Sequence, residues 1–404
     1  MRRALAGLRV LDFCWVGAGA LVTKLLAEHG ADVIKVESRA RPDNLRVAPP
    51  FRPGVEGLDA SGYFASRNND KRSLALNMQH PRSRELARTL AIRCDLVTNN
   101  FRPGVMERWG LGYEELSALN PSLIYLSMPM NGSSGPDSQA IGFGSTIAAQ
   151  AGLVHLSGRA DRNPIGTGTH YPDHIPSPGH ALVALLAAIW QREQTGRGRL
   201  IELSQLESTV SLLGPAVVAM SNGAERPARN GNRVAAHSPS GVFRCNGDDE
   251  WVALAARDDL EWQTLADVLG RPELAGDPRF ATLSARKANE DELETLIAAL
   301  VASWKHEELA RALQARGVPA SPVLSSKDLL ENEHLRARGF WRTLDHPVMG
   351  EVTSPSAPFK GAGARTGPER PAPLIGEHTR EIARSLLDLA DADIDALIAE
   401  ETLW

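Results

Sequence analysis

The chain has 404 residues, of which 43% are hydrophobic and 23% charged, a composition that supports two or three folded domains with sizeable cores. Its net charge of −5 argues against a general attraction to nucleic acid or anionic membranes, so an anionic ligand needs a local cluster of Lys and Arg. Cys14, Cys94 and Cys245 are far apart and outside any CxxC spacing, which argues against disulfides and a zinc site, and we expect a cytoplasmic protein without a signal peptide.

The first forty residues predict a strand, a helix and a second strand. The strands are expected at 8–13 and 32–37, with a helix over 21–29 that Gly30 ends. Such a unit predicts a parallel sheet. Glu37 could take a ribose hydroxyl, but Val22 stands where the dinucleotide fingerprint needs Gly or Ala. NAD binding therefore remains a weaker interpretation than a plain βαβ unit.

The alternation of strands and helices continues to about residue 220. Further strands are expected at 73–76, 95–97, 123–127 and 200–203, and helices at 84–92, 113–119, 145–153 and 206–220. The segment NNFRPG, residues 99–104, follows one strand, and Arg102 and Arg108 add positive charge there. Because ligands of open α/β sheets bind beyond the carboxyl ends of strands, this loop is a candidate binding segment. Taken alone, the adjacent cations Lys71 and Arg72 indicate a solvent-exposed charged turn.

A long polar connection, residues 221–241, predicts a domain boundary. Beyond it, a hairpin at 241–256 and helices near 258–268, 290–303 and 305–316 indicate a smaller α+β domain. A helix is expected at 327–338, irregular structure at 350–361 and a helical tail at 379–400. The domains are therefore placed at 1–220, 221–325 and 326–404.

The stretch 167–198 joins a polar loop to ten consecutive apolar residues, 181–190. The apolar run is too short to span a bilayer and predicts a helix buried on all sides. The loop carries Asp173 between His170 and His174. An aspartate before a helix is often only an N-cap, but this polar loop also suits a reactive carboxylate. A metal site would need His170 and His174 on a helix, which Pro172 opposes, so no metal is expected.

Several collinear motifs resemble the class III coenzyme A transferases, the CaiB/BaiF family. They are LRVLDF, HGADVIKVE, NNDKRSLALN, NNFRPGVMERWGLGYEEL, NPSLIYLS, QTGRGRLIELSQLES and APLIGEHTREI. The resemblance implies an α/β fold, with a doubly wound, Rossmann-like large domain built from both chain ends and a smaller α+β domain. It also implies an interlocked homodimer.

The resemblance assigns roles to individual residues. Asp173, the only carboxylate between Asp161 and Glu193, maps onto the family nucleophile. The positions that match coenzyme A contacts are Trp15, Val16, Arg39, Lys71, Arg72, Asn100, Phe101 and Arg108. Ser38 stands where the family commonly has a further arginine. Coenzyme A is then a co-substrate, with no permanently bound cofactor, and the partners are an acyl-CoA and a small carboxylic acid.

The implied reaction transfers coenzyme A through an aspartyl mixed anhydride and an aspartyl-CoA thioester. Gly166, Gly168 and Gly179 are candidates for stabilising the oxyanions, and His170 and His174 for contacting the acid or orienting Asp173. The main alternative is α-methylacyl-CoA racemase chemistry, although residues 142–144 read Gly-Phe-Gly and carry no histidine there. A non-catalytic CoA-binding protein is a further alternative. The donor and acceptor acids, and the role of His237, stay open.

Overall fold

The computed structural model describes residues 3–224, 228–360 and 367–404, and its strands alternate with helices along the first half of the chain. The strands are β1 Arg9–Phe13, β2 Asp32–Glu37, β3 Arg72–Ala75, β4 Leu96–Asn99, β5 Ile124–Ser127, β6 Leu200–Glu202, β7 Ser240–Arg244, β8 Trp251–Ala255, β9 Ala320–Pro322, β10 Trp341–His346 and β11 Gly350–Pro355. Short runs of 3-10 helix lie at Asn44–Val47, Ser211–Leu213 and Pro272–Gly276.

The α-helices cover the sheet and most of the C-terminal half. They are α1 Ala18–Glu28, α2 Gly62–Arg67, α3 Pro81–Ile92, α4 Val105–Arg108, α5 Tyr113–Leu119, α6 Gly144–Gln150, α7 Leu153–Leu156, α8 Tyr171–His174, α9 Pro176–Thr195, α10 Gln205–Val210, α11 Gly214–Ser221, α12 Asp259–Val268, α13 Leu283–Ala288, α14 Glu290–Val301, α15 His306–Gln314, α16 Ser326–Glu331, α17 Glu333–Ala337, α18 Thr379–Leu387 and α19 Asp391–Ala399. Within the described ranges, none of them has the length and apolar character needed to cross a bilayer.

Six strands form a parallel sheet in the order β3-β2-β1-β4-β5-β6. Each neighbouring pair is parallel, with Val10 of β1 opposite Val33 on one side and Leu96 on the other. The predicted parallel sheet is confirmed. The chain moves outward from β1 to β3 and then crosses back to β4, so the strand order reverses between β1 and β4. In open α/β sheets this reversal opens a crevice at the carboxyl ends of the two strands.

Helices pack on both faces of the sheet because successive strand residues point to opposite sides. In β1, Leu11 lies in a core shared with α3, α5, α18 and α19, and Val10 lies in a second core shared with α1 and α9. The C-terminal helices therefore fill a core begun by the N-terminal strands. The compact unit that contains the sheet comprises residues 1–154, 166–225 and 334–404.

A smaller compact unit comprises residues 155–165 and 226–333. Its antiparallel strands follow the order β7-β8-β9, and helices α12, α14 and α15 contribute to its core around Trp262, Leu293 and Leu309. The expected hairpin at 241–256 is present as β7 and β8. Segment 155–165, which the sequence placed with the large domain, clusters with this smaller unit.

Helix α9 is longer and more exposed than the sequence predicted. It begins at Pro176, and its inward face, with Ala181 and Leu185, is fully buried. On another face Val183 is 71% exposed, Leu186 50% and Trp190 68%. The expectation of burial on all sides is therefore wrong for the single chain, because an unbroken apolar run has no periodicity that would reveal which face is uncovered.

Two further local predictions are corrected. The prolines do not exclude helix around Asp173, because Pro172 occupies the first turn of α8, where its missing N–H costs no hydrogen bond. Segment 350–361, expected to be irregular, begins with β11, which pairs antiparallel with β10.

Candidate active site

A cleft of about 520 Å³ lies beyond the carboxyl ends of β1 and β4, where the strand order reverses. Its wall combines the turn after β1, the loop after β4, the start of α6 and the side chain of Asp173 in α8. The residues that line it include Trp15, Val16, Gly17, Arg41, Asn100, Phe101, Arg102, Val105, Met130, Gly142, Phe143, Gly144, Asp173 and Gln205.

Asp173 is the acidic side chain in this cleft. It lies in the single turn of α8 and is only 5% exposed. Within the described ranges its carboxylate has no hydrogen bond or ion pair. Burial raises the pKa of Asp173 to about 6, an effect that the charges of His170 and Arg67 only partly offset. The group is therefore ionised at neutral pH without being neutralised by a partner, which suits a nucleophile.

Two glycines from distant parts of the chain press against the carboxyl group of Asp173. A Cβ placed on Gly17 would lie 2.7 Å from the Cβ of Asp173, and one placed on Gly144 would lie 2.7 Å from its Oδ2. Gly17 caps α1 and Gly144 begins α6, so the amino ends of two helices lie beside the carboxylate. Their free N–H groups and dipoles favour negative charge there.

The sequence did not identify these glycines. Gly166, Gly168 and Gly179 were expected near the reacting carbonyl, but a Cβ placed on any of them meets no described atom within 4 Å. They lie close to Asp173 in sequence, whereas Gly17 and Gly144 approach it only through tertiary folding. The Gly-rich turn after β1 was the one available signal.

Side chains of the loop after β4 hold the turn after β1 in place. The Oδ1 of Asn100 accepts a hydrogen bond from the N–H of Trp15 at 2.9 Å, and its Nδ2 donates to the carbonyl of Trp15 at 2.6 Å. Phe101 packs edge-on against Trp15, with ring centroids 5.3 Å apart. Trp15, Asn100 and Phe101 are thus brought together at the cleft.

Val16 adopts a left-handed backbone conformation, with φ of 63°, which is unfavourable for a β-branched residue. Its N–H donates to Oδ1 of Asp43 at 3.0 Å. Lys35, fully buried, donates to Oδ2 of Asp43 at 2.7 Å and to the carbonyl of Cys14 at 2.9 Å. This buried ion pair holds the strained turn in the shape that presents Gly17 to Asp173.

A second, apolar cleft of about 370 Å³ adjoins the first. Its wall includes Trp15, Met78, Phe101 and Trp109, and it shares Trp15, Arg41, Phe101 and Val105 with the cleft of Asp173. One extended ligand could therefore occupy both, with a flat apolar group between the aromatic rings.

Lys71 lies inside the fold and does not line either cleft. Its Nζ pairs with Oδ2 of Asp12 at 3.1 Å and donates to Thr23, Asn68 and the carbonyl of Ala20. A phosphate would have to displace these partners and enter a fully buried site. The structure therefore gives Lys71 an internal structural position, which an adjacent pair of cations in the sequence could not reveal.

Of the arginines expected to contact coenzyme A, one lies away from the clefts and two lie beside them. Arg72 begins β3, at the amino ends of the strands, and is paired with Asp32 at 2.7 Å and Glu381 at 3.0 Å. It therefore lies away from the carboxyl ends. Arg39 and Arg108 are exposed on segments next to the clefts. The cations that line the cleft of Asp173 are Arg41, which the sequence analysis missed, and Arg102.

The two histidines that flank Asp173 differ in environment. His170 is exposed, whereas the ring of His174 contacts Thr169 Oγ1 at 3.1 Å and Tyr63 Oη at 3.3 Å. Burial, with the charges of Arg67 and His170, lowers the pKa of His174 to about 4, so the ring is neutral at pH 7. Among the described residues no group of three His, Cys, Asp or Glu side chains could hold a metal ion.

Comparison with known proteins finds relatives of this chain along nearly its whole length. The model of CoA-transferase family III matches residues 5–379. The succinyl-CoA–D-citramalate CoA-transferase of Chloroflexus aurantiacus is 33% identical over 99% of this chain and 98% of its own. The succinyl-CoA:mesaconate CoA-transferase of Haloarcula hispanica is 36% identical over 94% of this chain and 95% of its own. A CaiB/BaiF family protein from Brucella suis, 31% identical, superposes with a TM-score of 0.88 over 96% of this chain and all of that one.

Proposed function

The chain belongs to CoA-transferase family III, and on that premise we propose that it moves coenzyme A from an acyl-CoA to a carboxylic acid through covalent intermediates on Asp173. The support is the buried, partnerless carboxylate at the carboxyl end of the sheet, flanked by Gly17 and Gly144. The two compact units are the proposed large and small domains of this enzyme.

Coenzyme A is the proposed occupant of the two adjoining clefts. The adenine fits the apolar cleft between Trp15, Phe101 and Trp109, and the pantetheine arm follows the shared wall toward Asp173. Four arginines at or beside the clefts are available for the phosphates: Arg39, Arg41, Arg102 and Arg108. Lys71 and Arg72 are left out because their charges are satisfied within the protein.

The proposed reaction begins when an oxygen of Asp173 attacks the thioester carbonyl, forming a mixed anhydride and releasing CoA thiolate. The thiolate then attacks the aspartyl carbonyl, the first acid leaves as its carboxylate, and an aspartyl-CoA thioester remains. A second carboxylate attacks this thioester and again releases the thiolate. Attack of the thiolate on the new acyl carbonyl yields the product acyl-CoA and free Asp173.

The surroundings of Asp173 suit the charge that develops in these steps. Each tetrahedral intermediate carries an oxyanion, and the amino ends of α1 and α6 offer N–H groups beside the carboxyl group. The absence of a side chain at Gly17 and Gly144 leaves room for the reacting acyl group. We assign oxyanion stabilisation to these two positions.

The test is to capture the acylated aspartate. The protein is mixed with succinyl-CoA, the donor in the names of both relatives cited above, and treated with hydroxylamine. Mass spectrometry should find the hydroxamate on Asp173. Asp173→Asn should abolish both the adduct and transfer to added acids, whereas Asp137→Asn, at an exposed carboxylate on the loop after β5, should leave both unchanged.

Each rival function predicts a distinct experimental outcome. If no acyl-CoA donor in a panel produces an adduct on Asp173 during turnover, the aspartyl mechanism is contradicted. Solvent deuterium entering the α-carbon of an acyl-CoA without transfer would indicate a racemase. Full activity in Asp173→Asn would show that another residue performs the chemistry.

The exposed apolar face of α9 supports a homodimer as the working form. Val183, Leu186 and Trp190 recur at helical spacing on one face, and large exposed apolar patches mark interaction surfaces. The family resemblance points to an interlocked arrangement of two copies, which we propose for this chain.

A further inference from the structure

Arg67, at the end of α2, is a half-buried cation without an acidic partner in the described chain. Its Nε is buried and has no hydrogen-bond partner, and its Nη1 makes one long hydrogen bond, 3.5 Å, to the carbonyl of Ser66. By contrast, the buried cations Lys35 and Arg46 each pair with a carboxylate at 2.7 Å. A desolvated guanidinium left unpaired is unfavourable unless an anion from outside completes it.

Arg67 belongs to a cluster that reaches Asp173 through two aromatic side chains. Its guanidinium carbon lies 5.6 Å from the ring centroid of Tyr63. Tyr63 Oη lies 3.3 Å from Nε2 of His174, the residue that follows Asp173, and their rings meet edge-on at 6.5 Å. The charges of Arg67 and Asp173 also influence each other's pKa, which agrees with this proximity.

The cluster has the charge of an anion site. His174 is neutral at pH 7, and burial raises the pKa of Tyr63, so its hydroxyl keeps its proton. Arg67 is therefore the positive group, beside a hydroxyl that can donate a hydrogen bond. None of these three side chains lines the cleft assigned to CoA, so their ligand is a different part of the reacting assembly.

We propose that Arg67, assisted by Tyr63, binds a second, non-reacting carboxylate of the acid that Asp173 processes. This inference rests on the proposed transfer at Asp173 and names its substrate class: dicarboxylic acids and their mono-thioesters. A planar guanidinium matches a carboxylate through two parallel hydrogen bonds, and such charge-assisted contacts are strong and orienting. With one end held at Arg67, the other carboxyl group is directed to Asp173.

Equilibrium binding separates this role from catalysis. Succinate and butyrate have four carbons each and differ in the second carboxylate, so calorimetric titration with both probes isolates it. We expect wild type to prefer succinate, and Arg67→Met to weaken succinate binding by about 10- to 100-fold with little effect on butyrate. Arg88→Met, which removes an equal charge from an exposed position of α3, should behave like wild type.

Three results would overturn the inference. They are unchanged affinities for both probes in Arg67→Met, an equal loss of affinity for both probes, and a loss confined to coenzyme A, which would assign Arg67 to a phosphate. Arg67→Lys keeps the positive charge but loses the planar guanidinium that makes two parallel hydrogen bonds. It should therefore retain part of the preference for succinate over butyrate that Arg67→Met loses. If Arg67→Met does not fold, the lysine variant decides: an unaltered ratio there counts against bidentate recognition.

Adduct formation distinguishes failure of this inference from failure of the proposed function. In Arg67→Met, acylation of Asp173 by succinyl-CoA should fall by about 10- to 100-fold, whereas acylation by butyryl-CoA should match wild type. Absence of any adduct in wild type would refute the aspartyl mechanism and leave the succinate preference to be judged by titration alone. A ratio of succinyl-CoA to butyryl-CoA acylation in Arg67→Met that is unchanged from wild type would refute the carboxylate site and leave the mechanism intact.

Discussion

Asp173 combines two properties that rarely occur together: it is almost fully buried, and it has no cation or hydrogen-bond donor bound to it in the described structure. Burial disfavours the charged form and raises its pKa from 3.8 to about 6. A higher pKa makes the carboxylate a better nucleophile, and at neutral pH the group remains mostly ionised. Both properties support the nucleophilic role that we propose for Asp173.

The raised pKa predicts the pH dependence of acylation. Because only the carboxylate attacks, kcat/KM for the acyl-CoA donor should be level above pH 7 and fall tenfold per pH unit below about 6. His174, with a pKa of about 4, should not contribute to this limb. The measurement is a pH series of adduct formation under single turnover, with donor stability checked in parallel. A midpoint near 4 would show that Asp173 is not desolvated in the working enzyme.

Sequence alone could propose Asp173 as the candidate nucleophile, but it could not reveal the residues that surround it. The aspartate stood out because it is the single carboxylate of a polar loop and because the family motifs frame it. Lys71 and Arg72 are adjacent cations in the sequence, yet Lys71 is buried and pairs with Asp12, whereas Arg72 pairs with Asp32 at the amino ends of the strands. Arg67 carried no signal, since nothing local shows that its guanidinium lacks a partner. Pairing and burial are properties of tertiary distance.

At the scale of elements, the site depends on how the turn after β1 and the start of α6 meet α8. The turn is held by the Lys35–Asp43 pair and by Asn100, which together fix the carbonyl of Cys14 and the N–H groups of Trp15 and Val16. The cost of the left-handed Val16 is borne by these buried contacts. Gly17 and Gly144 can then approach Asp173 more closely than any residue with a Cβ.

This close approach predicts the effect of adding one methyl group. In Gly144→Ala the new Cβ would lie 2.7–2.9 Å from the carboxyl atoms of Asp173, so either α6 or the aspartate must move. We expect acylation to fall by about 100-fold, because small displacements of a reacting group are costly, with the fold retained. Gly179→Ala is the matched control and should act like wild type, since its added Cβ would meet no described atom within 4 Å beyond its own helix backbone.

The measurements are single-turnover adduct formation and thermal unfolding of both variants. Wild-type acylation in Gly144→Ala would show that the contact with Asp173 is loose in solution. A large fall in Gly179→Ala would instead return oxyanion stabilisation to the glycines near the start of α9, as the sequence first suggested.

For the whole molecule, periodicity and turn signals were sufficient to predict a parallel α/β sheet, and the collinear motifs to predict that the chain ends share one core. Ile382 and Leu387 of α18 and Ile394 of α19 lie in the same core as Leu11 and Ile34. The assignment of 155–165 to the smaller unit was not predictable, because no composition change marks it. Nor could the unbroken apolar run of α9 show which side lacks a cover.

That uncovered side of α9 predicts the assembly. If a second copy covers it, Leu186→Glu should place a charge in the interface and shift the protein from dimer to monomer in light scattering coupled to size-exclusion chromatography. Gln194→Glu adds the same charge to an exposed polar position of the same helix and should leave the dimer intact.

An interlocked pair should also exchange subunits slowly, so differently tagged wild-type dimers mixed after purification should stay unmixed for hours. A monomeric wild type, or a dimer indifferent to Leu186→Glu, would assign this apolar face to another role.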